Sequence, residues 1–416
     1  MKKNRFRDMG MSPGNEKWEA AVMRAGKLPE KANEIRTEFA RDVTRLLHCT
    51  AYRRLKHKTQ VFFAPANDHI CTRIEHVNHV ASISYTIAKY LGLNTELTHA
   101  IALGHDIGHA PFGHAGETVI KDIVKRYCCD SESRHNMFWH EKNSLYFIDN
   151  IETLEGPDGF HRNLDLTYAV RDGIVSHCGE IDENGLYPRK EAVDLESIKR
   201  PNEFSPYTWE GCVVKIADKI AYIGRDIEDA LILDILSRKE LRQLAEILEH
   251  SGRKKMKEIN NTVVIHESII DLCRESSPER GISLSQTSFE TLNALKEFNY
   301  KHIYYSAALK PYKKYAELII NLIFDVLHDF YDADTEKMFA SMRGQRERYP
   351  LLTGTFMEWL EKYGEQDITR RENSYYKNRV IYNPGKQSDY SQAIIDFISG
   401  MTDTFAKRVF EELITF

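Results

Sequence analysis

Apolar residues recur every three or four positions along HVASISYTIAKYLGL (from His79), TVIKDIVKRY (from Thr118), VVKIADKIAYIGRDIEDALIL (from Val213) and YAELIINLIFDVLHDFY (from Tyr315). That period is the mark of helices that bury one face. The pattern predicts an all-α protein, helical almost throughout, built on one α-helical core. Breaks are expected at Gly156 to Gly159, Cys178 to Trp209, Ser276 to Ser285 and Asn383 to Ser388, each rich in turn formers. Of these, Cys178 to Trp209 is the longest irregular excursion. The expected organisation is an N-terminal arm over 1–35, a helical core over 36–235 and a C-terminal helical lobe packed on it over 236–416. No internal repeat or low-complexity segment interrupts it.

Between Arg73 and Glu117 the sequence reads RIEH near its start and GHDIGHAPFGHAGE at its end. Seven of the chain's 17 histidines fall between His69 and His114, and the dipeptide His105-Asp106 sits among glycines just after an apolar run. Imidazole nitrogens and carboxylates are what a borderline or hard divalent cation binds. A lone His-Asp pair would be weak evidence, but a second carboxylate, Asp218, lies far downstream in a strongly apolar helical pattern, where an acid needs a partner. His76, His105, Asp106 and Asp218 offer two nitrogens and two oxygens, leaving room for water and substrate on an octahedral ion. This is the donor set of a metal-dependent phosphohydrolase. Manganese or magnesium is the expected working ion, and iron, nickel, cobalt or zinc would also be retained by such a site.

Helical spacing extends the site. Tyr222 and Asp226 follow Asp218 at i+4 and i+8, so at about 100° per residue they drift only about 80° and share its face. A core aromatic and a surface acid would show the same spacing. Arg73 lies one turn before His76, and its fork of donors suits a phosphate. Pro111-Phe112-Gly113 should break the helix and restart it near His114, folding His114 back over the metal. His114 and Glu117, three residues apart at the new helix start, are spaced for proton handling.

Composition narrows the class. With 42% hydrophobic residues in 416, the chain can bury a large core. The start, MKKNRFRDMGMSPGNEKWEA, is basic but lacks the apolar segment of a secretory signal. No run approaches the roughly 18 apolar residues of a membrane span. Seven cysteines, with only Cys128 and Cys129 adjacent and no C-x-x-C pair, fit a reducing compartment and exclude zinc-ribbon chemistry. A cytoplasmic protein without membrane contact is expected. The net charge of −5 does not favour polyanions over the whole surface, so anion binding must rest on local groups: the metal, Arg73 and Lys219. Arg253, Lys254, Lys255 and Lys257 form a separate basic stretch, read as a solvated helix face or loop.

The order H…HD…D resembles the HD phosphohydrolase superfamily, and the resemblance goes further. ARDVTRLLHCTAYRRLKHKTQVF (Ala40 to Phe62), RIEH, GHDIGHAPFGHAGE, WHEKNS, LTYAVRDGIVSH, ADKIAY and FISGMTDTFA (Phe397 to Ala406) come in the order found in bacterial deoxyguanosinetriphosphate triphosphohydrolases and their dNTPase relatives. The matches are specific from about Arg36 to Asp229 and resume near the C-terminus. The resemblance implies cleavage of a dNTP, dGTP foremost, to deoxynucleoside and tripolyphosphate. It also implies that Arg73 grips the α-phosphate, Lys219 and His109 reach phosphate, and Gln60 touches the sugar edge. Tyr222 would pack beside the deoxyribose and Asp226 would accept from its 3′-hydroxyl. Catalysis falls to the His114-Glu117 pair, with His140 a further active-site histidine, although Asn143 stands where bacterial members carry glutamine. His79, His99 and His177 are read as structural or supporting. Relatives commonly form hexamers built from dimers, so a homo-oligomer is expected, with Gly400 to Asp403 near an active site or a subunit contact. Relatives differ in dNTP preference, in activation by a second dNTP and in regulation by single-stranded DNA. Two other readings stay open: an HD-type phosphatase of deoxynucleoside monophosphates, and a nucleotide or nucleic-acid sensor without catalysis.

Overall fold

The computed structural model describes residues 4–415 except 27, 29–32, 64–66, 68, 128–136, 179–182, 251–260 and 366–370. The basic stretch from Arg253 to Lys257 and the Cys128-Cys129 pair therefore lie outside the described residues. The first half runs α1 (Trp18–Ala21), α2 (Glu38–His48), α3 (Thr50–Arg54), α4 (Arg73–Leu91), α5 (Thr95–Gly104), α6 (Gly113–Tyr127), α7 (His140–Tyr146), α8 (Tyr168–Val175) and α9 (Trp209–Ile232). The second half continues with α10 (Arg238–His250), α11 (Asn261–Glu275), α12 (Gln286–Asn299), α13 (Lys310–His328), α14 (Thr335–Gly344), α15 (Pro350–Tyr363), α16 (Gln387–Ser399) and α17 (Asp403–Ile414).

The chain is all-α, as its periodicity predicts, with one addition. The turn formers from Gly156 to Gly159 close a small antiparallel hairpin, in which Thr153–Glu155 pairs with His161–Asn163. Strands of three residues are too short to show a period of two in the sequence. Cys178 to Trp209 is largely irregular where described, with one 3-10 turn at Leu195–Ser197.

Local chemistry sets the helices that carry the site. At the start of α4, Glu75 Oε2 accepts from Thr72 N–H at 2.7 Å, and Gly92 ends the helix at φ 87°. Asn94 caps α5 by accepting from Glu96 and Leu97 N–H, and Thr208 caps α9 by accepting from Gly211 N–H. Helix α4 packs on α5 and α9, and its buried face includes Val77, Val80, Ile83, Ile87 and Leu91. Each such side chain contributes roughly 1.5–3 kcal/mol of transfer free energy. In the second half, α11 and α12 pack on α9 and α13 packs on α6, so the later helices cover the faces beside the histidine-rich segment.

Two glycines allow the close approaches this needs. A Cβ on Gly108 would lie 2.1 Å from Ser144 N, so only glycine lets α7 sit against the His-Asp turn. There Asn143 Nδ2 donates to Gly108 O at 2.6 Å, and Ser144 Oγ donates to His105 O at 2.8 Å. Gly113 has φ +58° and follows Phe112, itself at φ 63°, so two successive left-handed residues make the turn expected at Pro111-Phe112-Gly113.

Candidate metal centre and its cavity

His76 projects from α4, His105 and Asp106 from the turn after α5, and Asp218 from α9. Their donor atoms converge. His76 Nε2 lies 3.0 Å from Asp218 Oδ1, and His105 Nε2 lies 3.4 Å from His76 Nε2 and 3.8 Å from Asp218 Oδ1. Asp106 Oδ2 is 3.9 Å from both ring nitrogens. Adjacent ligands on an octahedral ion with bonds of about 2.1 Å sit about 3 Å apart, so the donor set fits a divalent cation. His105 Nδ1 bonds Ala102 O at 2.7 Å, which fixes the ring so that Nε2 presents its lone pair to the cluster.

The electrostatics are mutual. Burial opposes the charge on Asp106, yet Arg73 and then the surrounding histidines hold its carboxyl well below the usual range. Burial likewise opposes Asp218, and the His76 contact lowers it. His76 is raised because Asp218 outweighs its burial, whereas burial lowers His105. Two ionised carboxylates facing two histidines form an anionic pocket for a cation.

Arg73 is almost wholly enclosed. Nη1 contacts Asp106 Oδ2 at 2.5 Å, Nη2 donates to Gln60 O at 3.1 Å and Nε to Thr59 O at 3.3 Å. Of its five N–H donors these use three, and the side chain still lines the cavity. Beside it, His109 Nε2 lies 3.7 Å from Asp106 Oδ1, and the ring stacks on His140 at 4.1 Å. Burial, and then Arg73, push His109 well below the usual histidine range.

Glu117 is the hub of the remaining acid-base groups. His114 Nδ1 lies 3.6 Å from Oε2, His140 Nδ1 3.3 Å from the same oxygen, and Lys121 Nζ 2.8 Å from Oε1. Although burial opposes its charge, His114 and His140 hold Glu117 well below the usual carboxylate range. Burial also opposes charge on His140, but Glu141 and Glu117 outweigh it and push the ring up to about 10. His114 is 62% exposed at its side chain, so it meets the cavity from the solvent side.

These groups open onto a cavity of about 1040 Å³, at the upper end of the size that holds small molecules. Gln60, Tyr222 and Asp226 line it, as do Tyr304 and Tyr312 from the second half of the chain. Three buried polar atoms facing it, Gln60 Oε1, His109 Nδ1 and Asp226 Oδ1, have no hydrogen-bond partner among the described residues. Such atoms are uncommon in a folded protein, and here they come from three separate segments. Lys219 is placed differently from the other expected residues. One position past Asp218 on α9, it is rotated about 100° from it. Its Nζ donates to Asn293 Oδ1 at 2.8 Å and lies over Phe289, and the residue does not line the cavity.

Several supports stand around the cluster, of which Lys58 was not singled out from the sequence. Lys58, wholly buried, donates to the carbonyls of His109 and Ser399. Asp403, in the GMTD segment, accepts from Thr59 N–H at 2.9 Å and Phe112 N–H at 2.8 Å. His177, read as structural or supporting, lines the cavity with its ring 4.9 Å from His105. The available hint was an imidazole closing an apolar helix, where a polar ring needs a partner.

The H…HD…D order, set in this helical core, is that of an HD-domain protein, and the HD domain family matches residues 73–223. The chain belongs to the deoxyguanosinetriphosphate triphosphohydrolase-like family. It is 33% identical over 387 residues to such a protein of Caldanaerobacter subterraneus, covering 92% of this chain and 87% of the relative. It is 34% identical to one of Desulfatibacillum aliphaticivorans, with 76% of this chain and 80% of the relative covered. A third, of Clostridium perfringens, is 33% identical over 72% of this chain and 77% of its own length. Among the described residues, no helix is long and apolar enough to cross a membrane.

Proposed function

We propose that the protein is a metal-dependent dNTP triphosphohydrolase that releases deoxynucleoside and tripolyphosphate, with dGTP as the first substrate to test. The observation that carries this reading is the four-ligand cluster opening onto a cavity whose other wall presents Tyr222, Asp226 and Gln60. A divalent ion held by His76, His105, Asp106 and Asp218, with manganese or magnesium expected, would supply charge neutralisation at the α-phosphate. Arg73 orients the same phosphate with its remaining N–H groups while staying anchored to Asp106. His109 is neutral and offers its unpaired Nδ1 to a phosphate oxygen or to water.

Glu117 holds His114 beside the entering water, and the pair takes up its proton as the oxygen attacks the α-phosphorus. The departing 5′-oxygen receives a proton from the same histidine group. On the sugar side, the Tyr222 ring excludes a 2′-hydroxyl by its bulk, and Asp226 accepts from the 3′-hydroxyl. Lys219 would have to leave Asn293 to reach a phosphate. Assembly as a homo-oligomer, and control by a second dNTP or by single-stranded DNA, belong to the same proposal through the family resemblance.

The test is turnover of dGTP in oxygen-18 water by the metal-loaded protein. Label on tripolyphosphate with unlabelled deoxyguanosine is the expected result. Labelled dGMP as the main product would make the protein a pyrophosphohydrolase, and binding without turnover would leave a sensor.

A further inference from the structure

The two oxygens of Glu117 are met from different directions. Oε2 faces His114 Nδ1 at 3.6 Å and His140 Nδ1 at 3.3 Å, while Lys121, one helical turn further along α6, brings Nζ to 2.8 Å from Oε1. We propose that Lys121 is a positioning residue of the acid-base pair: its ammonium fixes the plane of the Glu117 carboxylate and offsets its charge, which keeps His114 ready to accept a proton. The proposal rests on the reading of His114 and Glu117 as that pair, whatever the substrate.

A glutamate followed four residues later by a lysine is common on exposed helix faces, where it adds little. The pair on α6 differs in its acid. The Glu117 side chain is 6% exposed and that of Lys121 43%, so a partly solvated ammonium closes one side of a carboxylate that water hardly reaches. Lys121 does not line the cavity, so its influence on the reaction must pass through Glu117.

Two physical effects follow. A carboxylate held at Oε2 alone can swing about its terminal torsion, which is broad and two-fold in glutamate. An ammonium on Oε1 confines that swing and keeps Oε2 directed at the imidazoles. The second effect is electrostatic. A carboxylate with no other counter-charge beside His114 would favour its imidazolium and leave fewer molecules able to take a proton from water. The Lys121 ammonium acts against that twice, by offsetting Glu117 and by repelling the charge arriving on the ring.

The ring and the carboxylate have other charged neighbours. His140, backed by Glu141, comes from α7, and His109 comes from the turn before α6, its ring 5.3 Å from that of His114. Asp226 of α9 lines the same cavity, as do Lys313 and Glu317 of α13. Helix α16, which also packs on α6, brings Asp396, engaged by Tyr382 and Gln392. On α6 itself, Asp122 is paired with Lys125 at 3.3 Å. All of these remain when only Lys121 is changed, so a difference between parent and variant belongs to the lysine.

The experiment treats the metal-loaded full chain with diethyl pyrocarbonate, which attacks neutral imidazole, between about pH 5 and 8.5, and follows His114 by peptide mass spectrometry. The 62% exposure of the His114 side chain leaves it open to the reagent. In Lys121→Met the reactivity curve should move to higher pH by about half a unit, a roughly threefold loss of reactive His114 at the acid end, the size expected for a partly screened ammonium. The difference should shrink in about 1 M salt, and Lys121→Arg, which keeps the charge, should restore the parent curve. The acid limb of kcat for dGTP should shift alongside at constant KM. If Lys121→Met fails to fold by circular dichroism, Lys121→Gln takes its place. A curve that superimposes on the parent's or moves to lower pH overturns the proposal, as does a shift that the arginine variant shares. So does a shifted curve with an unshifted acid limb in kcat. The modification needs no substrate, so it decides the inference even in a chain that does not turn over dGTP. Turnover of dGTP with an unshifted curve would refute the inference and leave the proposed reaction standing.

Discussion

Tyr304 donates its hydroxyl to Asp226 Oδ2 at 2.5 Å, joining the π-helical turn at Tyr300–Tyr304 to the middle of α9. The bond leaves Asp226 Oδ1 facing the cavity without a partner among the described residues. Burial raises the Asp226 carboxyl from 3.8 to about 7, against the opposing pull of the Tyr304 hydroxyl. The group proposed to accept from a sugar hydroxyl is thus poised to change its charge near neutrality.

An acid whose folded pKa is raised favours the fold while protonated. Its contribution is complete below the unfolded value of 3.8, shrinks as pH climbs, and is lost above about 7. A shift of that size corresponds to about 4 kcal/mol at most. Asp226→Asn, neutral throughout, should lose less stability than the unaltered protein between about pH 4 and 7, as read by urea unfolding at each pH. Equal slopes for the two proteins would show that Asp226 titrates normally.

The same titration should appear in substrate recognition. Above about 7 the ionised Asp226 can accept from a 3′-hydroxyl, so the KM for dGTP should fall as pH rises through that value. The 3′-deoxy analogue lacks the donor and should show no such change. Parallel pH profiles for the two nucleotides would remove Asp226 from sugar recognition.

Replacing His105 or Asp106 with alanine should abolish metal and activity together, since each removes a donor that no neighbour can replace without moving the backbone. Glu117→Ala should keep its metal in elemental analysis and lose about two or more orders of magnitude in turnover, the scale of a missing acid-base element. Stoichiometric loss of metal from the Glu117 variant would make that carboxylate a ligand.

Tyr222→Ala should narrow the gap between dGTP and GTP hydrolysis by opening the space beside C2′. A tyrosine that merely filled space would lower stability and leave the ratio alone. The ratio of the two kcat/KM values, measured on folded protein, separates these outcomes.

Asp403→Asn should destabilise the fold by about 1–3 kcal/mol, because its amide can accept only one of the two N–H groups now satisfied and leaves a buried donor unpaired. Urea unfolding reads this directly, and manganese affinity should be little changed, since no ligand is touched. A variant as stable as the parent would show that water can take over the clamp.

Much of this was legible in the sequence because helices write their partners at short range. His76, His105 and Asp218 stand on or beside helices whose periodicity is plain, and the drift from Asp218 to Tyr222 and Asp226 follows from helical geometry. What was not legible came from contacts across the chain. Tyr304 reaches Asp226 over 78 positions, and Lys58 reaches Ser399 over 341. No local spacing encodes either. Lys219 shows the converse limit, because a lysine beside a ligand has the right charge while its helix face decides where that charge goes. The hairpin at Thr153–Glu155 and His161–Asn163 escaped for want of length.

The Asp403 clamp also bears on when the molecule becomes competent during its synthesis. Every proposed metal ligand has been translated once Asp218 is made, yet Phe112 stays at φ 63° in a fold where its N–H is held by a residue 291 positions later. An aromatic residue in that conformation is strained by about 1–3 kcal/mol and persists only where its surroundings fix it. A nascent chain therefore carries every proposed ligand on an unfinished turn for almost half its elongation. The proposed ligands can thus come together before the cavity is complete, and the arrival of α17 is what fixes the backbone at Thr59 and Phe112 beside them.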